Sequence, residues 1–209
     1  MINFTEINDP KAPEFEEFSK IYIESFPPQE RPDLETIAHR LTDRISRLFV
    51  GKIGDRVVSI ALLYALKNPN FVLLDFIGTD SQYRSQGLGT QMMNHLGETL
   101  KLRQIQLIIE VEDPQYSSNS QQGERRIAFY RRLGAKILEN VPYLLAPFAG
   151  ETPTKMKLMI WPDYGQPCLS GALLTELIYD IYQNLYDRDR DDPFLNSFIN
   201  DIPETIQLT

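Results

Sequence analysis

The segment FVLLDFIGTDSQYRSQGLGTQMMNHL, residues 71–96, joins an apolar strand-like run to an amphipathic helix through a glycine-containing loop. Between Arg84 and Gly89 the loop places one arginine and two glycines where the helix starts. A helix start carries about four unpaired backbone N–H groups and a partial positive charge. Glycine lets an anion approach that backbone closely, and arginine adds a forked donor for phosphate. The loop therefore predicts a pyrophosphate site.

Two common nucleotide-binding motifs do not fit this loop. The dinucleotide fingerprint needs a third glycine, and Met92 stands at that position after Gly87 and Gly89. The Gly-Lys-Ser/Thr of the P-loop is absent as well. The anion site must therefore belong to another kind of protein.

The hydrophobic pattern around the loop predicts a mixed α/β chain in the order β-α-α-β-β-β-α-β-α-β-β. Predicted helices cover residues 12–26, 33–41, 87–101 and 123–134. Predicted strands cover residues 2–7, two runs within 47–66 with a tight turn at Gly54, then 71–79, 105–113, 135–144 and 154–162. After Pro162, two further amphipathic helices are predicted at residues 169–186 and 193–202.

Composition and charge exclude several classes of function. The net charge of −8 argues against a nucleic-acid partner, because phosphate binding needs a basic surface. Cys168 is the only cysteine and there are two histidines, so we expect neither a disulfide nor a metal site. No apolar run approaches the roughly 20 residues of a membrane span, and the N-terminus has no signal-like core. We expect a soluble cytoplasmic protein.

Three segments together resemble one enzyme superfamily. FIGTDSQYRSQGLGTQMMNHL resembles the acetyl-coenzyme-A signature Gln/Arg-x-x-Gly-x-Gly/Ala of the GCN5-related N-acetyltransferases (GNAT). LIIEVEDP is similar to the fifth strand of that fold, and RRIAFYRRLGAKIL is similar to its AxxFYxxxGF helix and the next strand. The resemblance covers roughly residues 2–161. It implies a GNAT domain over residues 1–162, with a central, mixed, mostly antiparallel twisted sheet of about seven strands flanked by helices.

The resemblance also implies which residues contact acetyl-CoA, the co-substrate. These are Ile77, Gly78, Thr79, Arg84, Ser85, Gln86, Gly87, Leu88, Gly89 and Thr90. The first three would pair with the pantetheine arm and polarise the thioester carbonyl, and the rest would hold the pyrophosphate. Tyr130 falls on the tyrosine that protonates the leaving thiolate in the family. Phe129 beside it is the better core candidate.

A carboxylate is needed to take a proton from the acceptor amine. Glu110 and Glu112 lie two apart on a predicted strand and so share a face. Glu110 is our first candidate for the base, directly or through a water, with orientation of a cationic acceptor as the alternative. The family's other base position, on the fourth strand, aligns with Leu73, which cannot act. Asp75, two residues on, is a weaker alternative that needs a partner.

Three further residues are candidates for acceptor binding. Glu112 is one, and Glu30 and Arg31 in SFPPQER lie where the family forms a wall of the acceptor site. An internal Glu–Arg pair within a turn is the structural alternative for the last two. The extension, residues 163–209, could cap the site or join two subunits.

The sequence therefore predicts an acetyl-CoA-dependent N-acyltransferase that acts on a primary amine of a small molecule or peptide. The amine would attack directly in a ternary complex, without a covalent enzyme intermediate. Two alternatives stay open. One is an inactive acyl-CoA-binding regulatory module, and the other is a transferase for a longer acyl group.

Overall fold

A computed structural model describes residues 2–117, 119–146 and 152–209, and the chain forms two compact units. The first unit comprises Met1–Ala65 and Val72–Arg103, and the second comprises Leu66–Phe71 and Gln104–Thr209. Residues 163–209 fall wholly within the second unit. The division into a domain at 1–162 and an extension at 163–209 stays a prediction.

The first unit is an antiparallel sheet with helices packed on it. Its strands are β1 (Asn3–Ile7), β2 (Ser46–Ile53), β3 (Arg56–Ala65) and β4 (Phe71–Thr79), and its helices are α1 (Pro13–Ser25), α2 (Leu34–Thr42) and α3 (Leu88–Leu102). Strand β2 pairs with β1 and β3, and β3 pairs with β4. The predicted tight turn between β2 and β3 is present, with Gly54 at a φ of +61°.

Helices α1 and α2 each bury one apolar face in the core of this unit. Phe18 and Tyr22 of α1 and Ile37 of α2 are fully buried. They belong to one cluster with side chains of β2, β3 and β4. Helix α1 ends at Ser25, just before two consecutive prolines that cannot continue it. The prolines thereby fix where the α1–α2 connection begins.

Strand β4 contains a β-bulge at Asp75. Leu62 of β3 pairs with Phe76, and the next residue, Leu63, pairs with Leu74, so Asp75 is the extra residue on β4. A bulge interrupts the strict alternation of side chains between the two faces of a sheet. The two-residue spacing from Leu73 to Asp75 therefore does not establish that they share a face, although a regular strand would have placed them so.

The second unit is arranged around one long strand. Its strands are β5 (Gln106–Glu112), β6 (Lys136–Ile137), β7 (Tyr143–Leu145), β8 (Thr154–Trp161), β9 (Cys168–Ser170) and β10 (Thr205–Gln207), and its helices are α4 (Ser120–Arg132), α5 (Gly171–Asp180) and α6 (Pro193–Asn196). Strand β8 pairs antiparallel with β5 along one edge and with β6 and β7 along the other. Strand β5 thus lies beside the centre of this unit.

The single strand predicted over residues 135–144 is wrong. The structure has two short strands there, β6 and β7, separated by a turn. Asn140 adopts a left-handed φ of +59°, and Pro142 lacks a backbone N–H for a ladder hydrogen bond. Both features end the extended run before β7 begins at Tyr143.

The C-terminal segment combines helices with two strands that the sequence patterns did not predict. Helix α5 continues into a π-helical turn, Ile181–Leu185, and α6 is followed by a 3-10 turn at Ile199–Asp201. Strands β9 and β10 pair antiparallel, and Thr209 exchanges backbone hydrogen bonds with Ile137 at 2.8 and 3.1 Å. Three-residue strands are too short to show a recognisable period, which is why the sequence did not reveal them.

The predicted fold class is confirmed as mixed α/β, with mostly antiparallel strands flanked by helices. All the strand pairings described above are antiparallel. Within the described residues, none of the helices has both the length and the apolar character to cross a membrane.

Replacing Gly171 by alanine should destabilise the second unit. A Cβ at this position would lie 2.0 Å from the carbonyl oxygen of Pro203, and the Gly171 N–H donates to the Glu204 carbonyl at 2.8 Å. The clash is with backbone, so we expect a loss of about 1–3 kcal/mol and a lower Tm by differential scanning fluorimetry. Ala172→Ser, at the exposed next position, is the control. Equal Tm values for the two variants would contradict this prediction.

Candidate active site

The loop between β4 and α3 is held by a capped 3-10 turn. Asp80 accepts a hydrogen bond from the Gln82 N–H at 2.9 Å, at the start of the turn Ser81–Tyr83. The same carboxylate pairs with Arg56 at 2.8 Å, and the Arg56 guanidinium lies 5.1 Å from the centre of the Tyr83 ring. Asp80 is largely buried. These contacts fix the chain just before the glycines.

The start of α3 exposes backbone N–H groups that no side chain caps. Gly87 is the N-cap residue, with a φ of +74°, and it makes no side-chain cap hydrogen bond. The first turn of the helix contains no acidic residue. Residues 84–87 are exposed, whereas Leu88 is buried and anchors the helix start. These features fit the binding of a phosphate group at this position.

The other predicted pyrophosphate contacts surround this helix start. Ser85 also has a left-handed φ, of +62°, so two residues of the loop turn the backbone unusually. The Arg84 Nε donates to the Thr79 carbonyl at 3.3 Å while the residue stays exposed. Gln86 is exposed, and Gly89 and Thr90 are half-buried on the first turn of the helix.

Residues Ile77–Thr79 form the half-buried end of β4. They pair with Ser59–Ala61 of β3. A Cβ on Gly78 would lie 3.3 Å from the Ser25 Oγ of α1 and 3.4 Å from a carbon of Ile60. Glycine at 78 therefore lets α1 approach the strand end closely.

Arg31 has structural partners at the end of α1. Its Nε donates to the Phe26 carbonyl at 2.8 Å, and its guanidinium lies 5.3 Å from the centre of the Tyr22 ring. Glu30 is exposed on the 3-10 turn Pro28–Glu30. The acceptor-binding role predicted for both residues stays a prediction.

Asp75, the alternative base, pairs with Arg40 of α2. The Oδ2–Nη1 distance is 3.9 Å, and the two side chains are 4% and 13% exposed. Burial, together with the negative charge of Asp75, raises the pKa of Tyr22 well above its usual value. Leu73 is fully buried. Asp75 thus has the partner that a buried carboxylate requires.

Glu110 of β5 is held through both of its carboxylate oxygens. The Tyr143 hydroxyl of β7 donates to Oε1, and the Tyr186 hydroxyl donates to Oε2 at 2.9 Å. Burial raises the pKa of the Glu110 carboxyl, and the two tyrosine hydrogen bonds oppose part of that rise. A carboxylate with a raised pKa is a stronger base than an ordinary glutamate.

Glu112 does not account for the raised pKa of Glu110, although two close carboxylates on one strand face would have that effect. The rise comes from burial. Glu112 is half-buried at the end of β5, opposite Met156 of β8. Its contribution to acceptor binding stays a prediction.

Tyr130 is buried in α4, and Phe129 is only partly buried, so the core assignment of Phe129 is wrong. The two rings pack with centroids 5.0 Å apart. Helical spacing alone does not decide which of two adjacent aromatic residues turns inward. Burial raises the pKa of Tyr130 to about 12, so the phenol keeps its proton at neutral pH. Among the described residues, no hydrogen bond joins Tyr130 to Glu110.

Sequence reasoning missed Tyr143 and Tyr186, the two donors to Glu110. They lie 33 and 76 residues away in the chain. Tyr182 of the same segment has a packing role, because it is fully buried and its hydroxyl donates to the Leu144 carbonyl. The only signal was a general one. A buried carboxylate needs hydrogen-bond donors, but the sequence does not show where in the chain they lie.

No group of three or more His, Cys, Asp or Glu side chains suited to a metal occurs in the parts of the chain that the structure describes. Cys168 is free. The His95 ring stacks on Phe4 with centroids 4.8 Å apart, which is a packing role.

The chain belongs to the acetyltransferase (GNAT) family, whose model matches residues 15–135. Several solved structures share its fold. A putative GNAT acetyltransferase from Bacteroides thetaiotaomicron has a TM-score of 0.73 at 22% identity and covers 90% of this chain and 99% of its own. Comparison with curated proteins found no sequence match.

Two further structures show the range of the same fold. The ribosomal-protein-S18-alanine N-acetyltransferase from Escherichia coli has a TM-score of 0.54 at 21% identity, covering 78% of this chain and 94% of its own. A GNAT acetyltransferase from Elizabethkingia anophelis, solved with acetyl-CoA bound, has a TM-score of 0.52 at 16% identity, covering 76% and 96%. The family model thus confirms the expected family, and these structures share its fold.

Proposed function

We propose that this GNAT acetyltransferase transfers an acetyl group from acetyl-CoA to a primary amine of a small molecule or peptide. Glu110 carries the proposal, because a partly buried carboxylate with a raised pKa is the base that such a transfer needs. One structure of the same fold is named an alanine N-acetyltransferase, and another contains acetyl-CoA. The first supports acetylation of an amine, and the second supports acetyl-CoA as the donor.

Acetyl-CoA, when bound, supplies the acetyl thioester. The N–H groups from Arg84 to Thr90 hold its pyrophosphate at the uncapped start of α3. The strand end Ile77–Thr79 offers backbone groups to the pantetheine arm and to the thioester carbonyl. Glu110 takes a proton from the acceptor amine, directly or through a water, so that the amine nitrogen can attack.

Tyr130 supports departure of the thiolate. Its pKa of about 12 lies above that of a typical thiol, about 8.5. Complete proton transfer to a free thiolate is therefore uphill, and the phenol acts first as a hydrogen-bond donor to the developing negative charge.

The test is thiol release from acetyl-CoA with a panel of primary amines, including amino sugars, polyamines and peptide N-termini. Release that depends on one class of amine supports the proposal. Binding of coenzyme A without release on any amine favours the regulatory module instead. Competition between acetyl-CoA and longer acyl-CoAs tests the second alternative, a larger acyl donor.

Tyr130→Phe should lower kcat by about 10- to 100-fold, because one hydrogen bond to a developing charge is lost. Coenzyme affinity should stay within about twofold, since the hydroxyl acts on the leaving group. Steady-state kinetics and calorimetric titration measure the two effects. Tyr116→Phe, which removes an exposed hydroxyl from the same unit, is the control. Wild-type kcat in Tyr130→Phe would remove Tyr130 from the mechanism.

A cellular location and an oligomeric state are proposed as well. A cytoplasmic location agrees with the single cysteine and the acidic composition. The segment 163–209 packs within the second unit, and a homodimer formed through it would appear in light scattering.

A further inference from the structure

We infer that Tyr186 is a positioning residue for Glu110, so that the C-terminal segment forms part of the candidate catalytic site. The inference rests on the proposed role of Glu110 as base. It goes beyond that role because Tyr186 lies outside residues 15–135, the region that the family model matches.

The hydrogen bonds to Glu110 fix the carboxylate from two sides. One donor, Tyr143, lies on β7, and the other, Tyr186, is the residue directly after the π-helical turn. Because each donor binds a different oxygen, rotation of the carboxylate would break both bonds. Each oxygen retains a second lone pair that can accept a proton from an amine or a water. The two bonds thus hold the carboxylate in place and leave it further acceptor capacity.

The π-helical turn determines where Tyr186 lies. The Tyr186 N–H bonds to the Ile181 carbonyl at 3.2 Å, five residues back. Such a turn holds one residue more than an α-helical turn, which changes the direction of the following side chains by about 100°. Short π-helical turns are rare and occur frequently at functional sites.

Tyr182 supports both donors. Its ring packs edge-on against Tyr143 at 6.4 Å and against Tyr186 at 6.1 Å between centroids. Phe198 adds an edge-on contact to Tyr143 at 5.7 Å. Tyr182 is itself fully buried and bonded to the Leu144 carbonyl. The aromatic packing therefore holds the two hydroxyl groups against Glu110.

A different result is expected if the hydrogen bond between Tyr186 and Glu110 only anchors the C-terminal segment. If Tyr186 only attached the segment to the rest of the unit, its hydroxyl would affect stability and leave the pH dependence of transfer unchanged. A positioning role must also change the proton affinity of Glu110. A hydrogen bond to the charged form of a carboxyl lowers its pKa, so loss of the Tyr186 hydroxyl should raise it.

The experiment compares wild type, Tyr186→Phe, Tyr143→Phe and the control Tyr179→Phe in the full chain. Tyr179 lies on α5, with its ring 4.5 Å from the Arg190 guanidinium, so the control removes a hydroxyl from the same segment. The pKa of Glu110 is measured by ¹³C NMR of the glutamate carboxyl carbons. The signal is assigned by its loss in Glu110→Gln, and thermal melting confirms that each variant is folded.

We expect Tyr186→Phe to raise the NMR midpoint of Glu110 by about one pKa unit, and Tyr179→Phe to leave it unchanged. The acid limb of the pH–rate profile, where acetyl transfer slows as the carboxyl is protonated, should move to higher pH by the same amount. An unchanged midpoint in folded Tyr186→Phe overturns the inference, and so does a raised midpoint with an unmoved acid limb. If wild type acetylates no amine, the proposed function fails, and the NMR midpoints alone decide whether Tyr186 acts on Glu110.

Discussion

Gly87→Val should weaken the binding of coenzyme A by more than about 100-fold. Gly87 has a φ of +74°, a conformation that a β-branched residue adopts only under strain. Relief of that strain would move the first N–H groups of α3 away from the phosphate position. Each lost hydrogen bond to a charged group costs about 1.5–3 kcal/mol, so two such losses exceed a 100-fold effect. Isothermal titration calorimetry with coenzyme A measures the change.

Gly165→Val is a closely matched control for this variant. Gly165 has the same φ of +74°, and at both glycines an added Cβ would meet no atom within 4 Å, so backbone strain is the effect common to both substitutions. It lies in a loop outside the predicted coenzyme contacts. Gly165→Val should therefore bind coenzyme A like wild type. Equal affinities for Gly87→Val and Gly165→Val would show that the start of α3 does not hold the pyrophosphate.

Glu110→Gln should lower kcat by about 100- to 10,000-fold, the range measured for the loss of a general base. Glutamine keeps the size of the side chain and one oxygen that can accept from a tyrosine, but it cannot take a proton. Coenzyme affinity should stay unchanged, because Glu110 is not among the predicted coenzyme contacts. Steady-state thiol release with the acceptor found in the amine panel measures kcat.

The pH profile of acetyl transfer is the most specific test of Glu110→Gln. Because the pKa of Glu110 is raised, wild-type activity should fall as pH drops through that raised value, where the carboxyl becomes protonated. The variant should lose this acid limb. Glu124→Gln, an exposed change of the same charge on α4, is the control. A wild-type rate and profile in Glu110→Gln would leave Asp75 or a chain of waters as the base.

The local sequence patterns predicted the elements around the loop well. The run of apolar residues predicted β4 at Phe71–Thr79, and the glycines with the helical period that follows predicted α3 within one residue of its observed ends. These features depend on neighbouring residues, so a sequence contains them. The helical period likewise predicted α4, at 123–134 against the observed Ser120–Arg132.

The features that the sequence did not predict depend on distant parts of the chain. The donors to Glu110 come from β7 and from the residue after a π-helical turn, and no local pattern connects them to β5. The bulge at Asp75 is visible only in the pairing of β4 with β3. The burial of Tyr130 in place of Phe129 depends on how α4 is rotated about its axis.

The contact between Tyr186 and Glu110 has a consequence for how such enzymes diverge. The proposed coenzyme loop at residues 84–90 and the hydroxyl at residue 186 are encoded in separate stretches of the chain. Changes in the tail can therefore alter the basicity of Glu110 while the coenzyme loop stays the same. If Glu110 is the base, as proposed, two homologues with identical residues at 15–135 would then differ in the acceptors they acetylate at a given pH, because the C-terminal segment would set the pKa of Glu110.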